Sequence, residues 1–103
     1  FLMKKSGYNV LIARNGEEAM SALVSTNIDL VLLDIMMPDV DGYTICQHIK
    51  STPVLNNIKV IFLSAKSKST DIQKGYEVGA DLFITKPFST RVLKQQVEEL
   101  LNG

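Results

Sequence analysis

Four short apolar runs alternate with amphipathic segments, and this alternation constrains the fold more than any single residue does. Tyr8 to Ala13 (YNVLIA) reads as a strand. Asp29 to Asp34 (DLVLLD) is a nearly continuous apolar run, the pattern of a strand covered on both faces. Ile58 to Leu63 (IKVIFL) is a third strand, and Asp81 to Thr85 a fourth, short one. Between them, Asn15 to Ser25 reads as a helix, with Asn15 as N-cap and Glu17 and Glu18 in the first turn, where the helix dipole favours anions. A Pro- and Gly-bearing loop, Ile35 to Gly42, leads into a helix running to about Lys50. A further helix spans about Thr70 to Val78, with Gly79 placed to end it. The last helix, Ser89 to Leu101, takes Ser89 or Thr90 as cap and carries Val92, Leu93, Val97, Leu100 and Leu101 on one face. Strands alternating with helices imply right-handed crossovers and an α/β fold, a parallel sheet with helices on both sides.

The 103 residues suffice for one domain, and an apolar content of 46% suffices for a core. Eleven acids balance eleven bases, which argues against a nucleic-acid surface within this segment. The single cysteine, Cys46, excludes an internal disulfide and fits a reducing, cytoplasmic compartment. No stretch approaches the roughly 20 apolar residues of a membrane span. The longest apolar run, Leu30 to Met37, is interrupted by Asp34. The opening residues FLMKKSG lack the apolar region of a signal peptide. A start at Phe1 rather than methionine leads to the expectation that the true N-terminus lies elsewhere.

In parallel sheets, reactive groups collect at the carboxyl ends of the strands. Those ends carry Asp34, Ser64 and Lys86: a carboxylate, a hydroxyl and an ammonium. Singly, each has an ordinary explanation as a cap, a loop residue or a solvated charge. Jointly, at the ends of three successive strands, they suit phosphoryl chemistry. A carboxylate can attack phosphorus to form an acyl phosphate. The phosphoryl oxygens then need cations and donors, which Lys86, Ser64 and a hard divalent ion such as Mg²⁺ would supply.

At these residues the chain resembles a family. DLVLLDIMMPDVDGY, VIFLSA and GADLFITKPF look like the three signature segments of the receiver domains of two-component response regulators, and the likeness extends through ARNGEEAM. The resemblance implies a flavodoxin-like doubly wound fold with strand order 2-1-3-4-5. It implies that Asp34 is the phosphoacceptor, that Ser64 bonds the phosphoryl group and that Lys86 pairs with it. Met36 would lend a backbone carbonyl to Mg²⁺. Pro38, Gly42 and Pro87 would be structural, with a cis Lys86-Pro87 bond. Phe83 matches the aromatic that turns inward on activation, changing the surface formed by the last two helices and the strand between them. The implied protein is a phosphoacceptor rather than an enzyme. Its donor would be a histidine kinase or phosphotransfer protein, and an effector domain could be attached.

The chain also departs from the family. The first strand, its acidic metal-binding pair and most of the first helix are missing, roughly 20 residues at typical element lengths. FLMKKS reads as the tail of that helix, so the segment 1–103 reads as a partial receiver. The missing strand is central in the family's sheet, so its loss should leave two strands with unpaired buried edges, which self-association is one way to repair. Asp39 and Asp41 do not replace the acidic pair; they read as turn formers and helix caps. Mg²⁺ binding is therefore expected to be weak or absent in this chain. Met36, two residues past Asp34, cannot orient a water, which implies a long-lived acyl phosphate. Lys66 reads as a solvated loop lysine, Cys46 as an apolar filler, and His48 as a surface or half-buried histidine without a second metal ligand. Two other readings compete: a phosphorylation-independent interaction module, favoured by the missing acids, and a phosphatase with an aspartate nucleophile, which would want a second acid where Met36 stands.

Overall fold

The computed structural model describes residues 2–5, 7–34, 41–65 and 68–102, the first of these segments by its backbone alone. Its elements are β1 (Leu2–Lys5), β2 (Tyr8–Ala13), α1 (Gly16–Ser25), β3 (Leu30–Asp34), α2 (Gly42–Ser51), β4 (Lys59–Ser64), α3 (Ser69–Glu77), β5 (Leu82–Thr85) and α4 (Thr90–Asn102). The four strands read from the apolar runs pair in parallel, β2 with β3, β3 with β4 and β4 with β5.

The strands β2, β3 and β4 place apolar residues on both sides of the sheet because both sides are covered. Leu11, Ala13, Val31, Leu33, Val60 and Phe62 form one core with Ala19 and Leu23 of α1 and Ile45, Cys46 and Ile49 of α2. The alternate residues Val10, Leu30, Leu32 and Ile61 face Val97 of α4, with Leu93, Leu100 and Leu101 packed alongside. Among the described residues a single helix covers this second face, and a cavity of about 180 Å³ remains between Val10, Ile12, Leu32 and the α4 residues Leu93 and Val97.

The helix ends follow their sequence signals. Asn15 Oδ1 accepts from Glu18 N at 2.7 Å, capping α1. Asp41 Oδ1 accepts from Thr44 N at 2.9 Å and from Thr44 Oγ1 at 3.1 Å, capping α2. After α3, Gly79 takes φ +101°, and Ala80 N and Gly79 N donate back to the carbonyls of Gly75 and Tyr76. This paired closure needs a left-handed residue that glycine adopts without steric cost.

Two expectations are corrected. Leu2–Lys5 is not the tail of a helix but a strand, antiparallel to β2, with Leu2 opposite Leu11 and Lys5 opposite Tyr8. Gly7, at φ +86°, sits in the tight turn between Lys5 and Tyr8. A segment this short cannot nucleate a stable helix, whereas pairing gives the outer edge of β2 its hydrogen bonds. The gap expected in the sheet is also absent. β2 lies directly against β3, from Val10 opposite Leu30 to Ala13 opposite Leu33. The sheet order is β1-β2-β3-β4-β5, so the backbone groups of β2 and β3 are satisfied within the chain.

Candidate functional site

The carboxyl ends of the four parallel strands converge on one edge of the sheet. β3 ends at Asp34, which stands opposite Leu63 of β4. β4 ends at Ser64, opposite Thr85 of β5. Beyond β5, Lys86 N donates to Ser64 O at 2.7 Å, so the ladder continues one residue past the strand and carries the lysine toward β3. Lys86 Nζ then reaches Asp34 Oδ2 at 2.8 Å. The Lys86-Pro87 bond is cis.

The three residues singled out by the sequence thus share one edge, in different environments. Asp34 and Lys86 keep side-chain exposures of 34% and 43% and remain open to a reactant. Ser64 is fully buried. Phe83 is half-buried, its ring 5.9 Å from that of Phe62 and close against Gly75. Gly42 is buried at the start of α2, and Pro87 is exposed. Met36, Pro38, Asp39 and Lys66 lie outside the described residues. Away from this edge, His48 is exposed on α2, whereas Cys46 is buried, with Sγ 3.5 Å from Val78 O.

One residue of the site was missed in the sequence. Because β2 lies against β3, Arg14 follows Ala13 to the same edge as Asp34. Arg14, Asp34 and Lys86 line a cavity of about 260 Å³, with Ile12, Leu32 and Leu63 among its walls. The signal was present, since Arg14 directly follows an apolar run. The family's strand order, which inserts another strand between these two, hid it.

The donor set decides what the cavity can hold. Mg²⁺ needs several oxygen ligands, usually with at least one or two carboxylates. The described lining offers one carboxylate, already paired with an ammonium, and a guanidinium beside it. Among the described residues no three His, Cys, Asp or Glu side chains come together as a metal site. These residues do not fit a divalent cation. They fit a group that carries negative charge. Among the described residues, no helix is long and apolar enough to cross a membrane.

Comparisons with known proteins agree with this architecture. The family model for the response regulator receiver domain matches residues 1–98. A probable transcriptional regulator, ycf27 of Cyanidium caldarium, is 42% identical over 95 residues, covering 92% of this chain and 37% of that protein. A probable cyclic di-GMP phosphodiesterase of Vibrio cholerae is 44% identical over 96 residues, 93% of this chain and 22% of its own length. The chain therefore spans well under half of these curated relatives. Among solved structures, the signal receiver domain of a signal transduction histidine kinase from Syntrophus aciditrophicus superposes with a TM-score of 0.79 at 44% identity, over 88% of this chain and 69% of that one. With its parallel sheet, its helices on both faces and a family model matched over nearly its whole length, the chain belongs to the response regulator receiver domain family.

Proposed function

We propose that this chain is a phosphoacceptor signalling domain in which Asp34 takes a phosphoryl group from a histidine kinase or phosphotransfer protein. The observation that carries the reading is the Lys86 ammonium held 2.8 Å from the Asp34 carboxylate at an open strand edge. The carboxylate oxygen attacks phosphorus, and the Lys86 charge stays beside the oxygens that arrive. Ser64, at the end of the neighbouring strand, is the hydroxyl that turns to the phosphoryl group. Phe83 responds to that movement, and the surface of α3, β5 and α4 passes the change to a partner or an attached effector domain. The family context favours a cytoplasmic setting and no direct nucleic-acid contact by this segment. The long lifetime expected of the acyl phosphate, with methionine at position 36, belongs to the same reading.

Intact mass before and after treatment with acetyl phosphate tests it. A gain of one phosphoryl group, absent in Asp34→Asn, supports the proposal; no gain under any condition removes it. One observation favours a second reading, a phosphorylation-independent interaction module: the described residues around Asp34 lack a carboxylate cluster for a metal. On that reading Asp34→Asn leaves partner binding unchanged.

A further inference from the structure

We propose that α3 is a hinged element, fixed at its C-terminal end and latched at its N-terminal end by the side chain of Tyr43. The inference goes beyond the phosphoacceptor reading: it concerns how α3 is held, and it stands or falls without a phosphoryl group.

Apolar burial holds α3 only weakly. Between Ser69 and Glu77 only Gly75 is buried, and glycine brings no side chain to the core. The start of the helix has no side-chain cap either. Lys68 stands at the N-cap position, and an ammonium has no lone pair to offer the first free N–H groups. A helix end of this kind frays unless another element ties it down.

Tyr43 supplies the tie. It sits in the first turn of α2, buried, with its ring edge-on to Phe62 at 5.5 Å. Its hydroxyl donates to the carbonyl oxygen of Asp71 at 3.0 Å. The Lys74 ammonium lies over the same ring, 4.6 Å from its centroid. Asp71 and Lys74 are three residues apart and share a helix face, so one side chain of α2 grips one side of the first two turns of α3. Each contact is modest alone, and together they take the place of a cap.

The other end is closed by its own neighbours. Gly79 N and Ala80 N donate to the carbonyls of Tyr76 and Gly75, and Phe83 N donates to the Tyr76 hydroxyl at 3.2 Å. These bonds keep the end of α3 with β5 when the start is released. The Phe83 ring lies close against Gly75, so the latch also sets the room available to that ring.

The test is amide hydrogen exchange followed by NMR on the unmodified chain, Tyr43→Phe and Lys74→Gln, with a urea melt of each. Tyr43→Phe keeps the ring and deletes only the hydroxyl bond. The amides of Ile72 to Gly75 should exchange about fivefold faster in Tyr43→Phe, the population equivalent of one net hydrogen bond, and about twofold faster in Lys74→Gln. The amides of α4 should keep their rates, since α4 also buries a single residue, Val97, but lies on the opposite face of the sheet from Tyr43. A lower urea midpoint in Tyr43→Phe with unchanged exchange in α3 overturns the inference and makes Tyr43 a core residue only. Equal acceleration in α3 and α4 overturns it too, because α3 would then open only with the whole domain. So does exchange of α3 in the unmodified chain at the rate of an unfolded peptide, since nothing would then hold the helix. If Tyr43→Phe does not fold, Lys74→Gln, at an exposed position, decides alone, and unchanged rates at Ile72 to Gly75 overturn the inference.

Discussion

Lys86 and Asp34 are 52 residues apart in sequence, and their side chains meet at 2.8 Å. The contact is built by the ladder: Lys86 N on Ser64 O extends β5 past its last strand residue, and the lysine side chain then spans β4 to reach β3. Both side chains are more than a third exposed, so water screens much of the attraction.

The pair should therefore matter more for chemistry than for stability. Lys86→Ala is expected to shift unfolding by less than about 1 kcal/mol. It should slow phosphorylation of Asp34 by about tenfold or more, since a cation facing the phosphoryl oxygens is lost. Urea denaturation and intact-mass kinetics measure the two separately. A large loss of stability with unchanged kinetics would assign the pair to the fold instead.

The second ion pair has the opposite character. Lys50 Nζ lies 3.0 Å from Asp81 Oδ2 and also donates to Ile58 O at 2.8 Å, while Asp81 Oδ2 accepts from Val60 N at 2.9 Å. These contacts tie the end of α2 to the starts of β4 and β5 with groups that are mostly buried. Asp81→Ala would leave a backbone N–H and an ammonium without that acceptor, at a cost of about 2–4 kcal/mol. The expected result is a lower urea midpoint with an unchanged slope, and a midpoint within error of the unmodified chain would refute it.

Most of this architecture was legible in the sequence because its signals are local. The runs at Val10, Leu30 and Val60 announced strands, Asn15 announced a helix start, and Gly79 a helix end. Asp34 and Lys86 were legible because parallel strands deliver their ends to one edge. The pairing of β2 with β3 was not, since no local pattern says which strands are neighbours. The family order separated these two, and with them Arg14 from Asp34. Leu2–Lys5 failed for a related reason: a strand this short owes its form to the open edge of β2, a feature of the assembled sheet.

Cys46 yields a prediction about pH. Burial pushes its thiol from 9.0 up to about 11; nearby Asp81 adds to the rise and Lys50 opposes it. The folded value lies above the ordinary one, so the stabilising contribution of the neutral thiol is full below about pH 9 and is lost as pH climbs toward 11. Tyr43 is also raised, chiefly by burial and then by Asp71 and Asp41, and acts in the same direction. The urea midpoint should fall between pH 8.5 and 10.5, and less steeply in Cys46→Ala. Below pH 9, alkylation by iodoacetamide should run about a hundredfold or more slower in the native chain than in urea, since thiolate is scarcer and Cys46 is buried. Equal rates in the two states would contradict the burial described here.

Gly75 tests whether Phe83 can move. A Cβ at Gly75 would stand 2.8 Å from Phe83 Cδ2 and 3.2 Å from Phe62 Cδ2. Phe62 is fully buried, with the Tyr43 ring packed edge-on 5.5 Å away, and cannot yield. Phe83 is half-buried on the edge strand and can. Alanine would strengthen the helix by about 0.5–1 kcal/mol, but overpacking costs about 1–3 kcal/mol, so Gly75→Ala should destabilise on balance by about 1 kcal/mol. The clash is chiefly with one ring, so the loss should disappear when that ring is removed. In a Phe83→Leu background, Gly75→Ala should be neutral or stabilising, a coupling of about 1 kcal/mol or more in a double-mutant cycle. Additive effects would mean that Phe62 takes the strain and that Phe83 is fixed, which would remove it from any switch driven through Ser64.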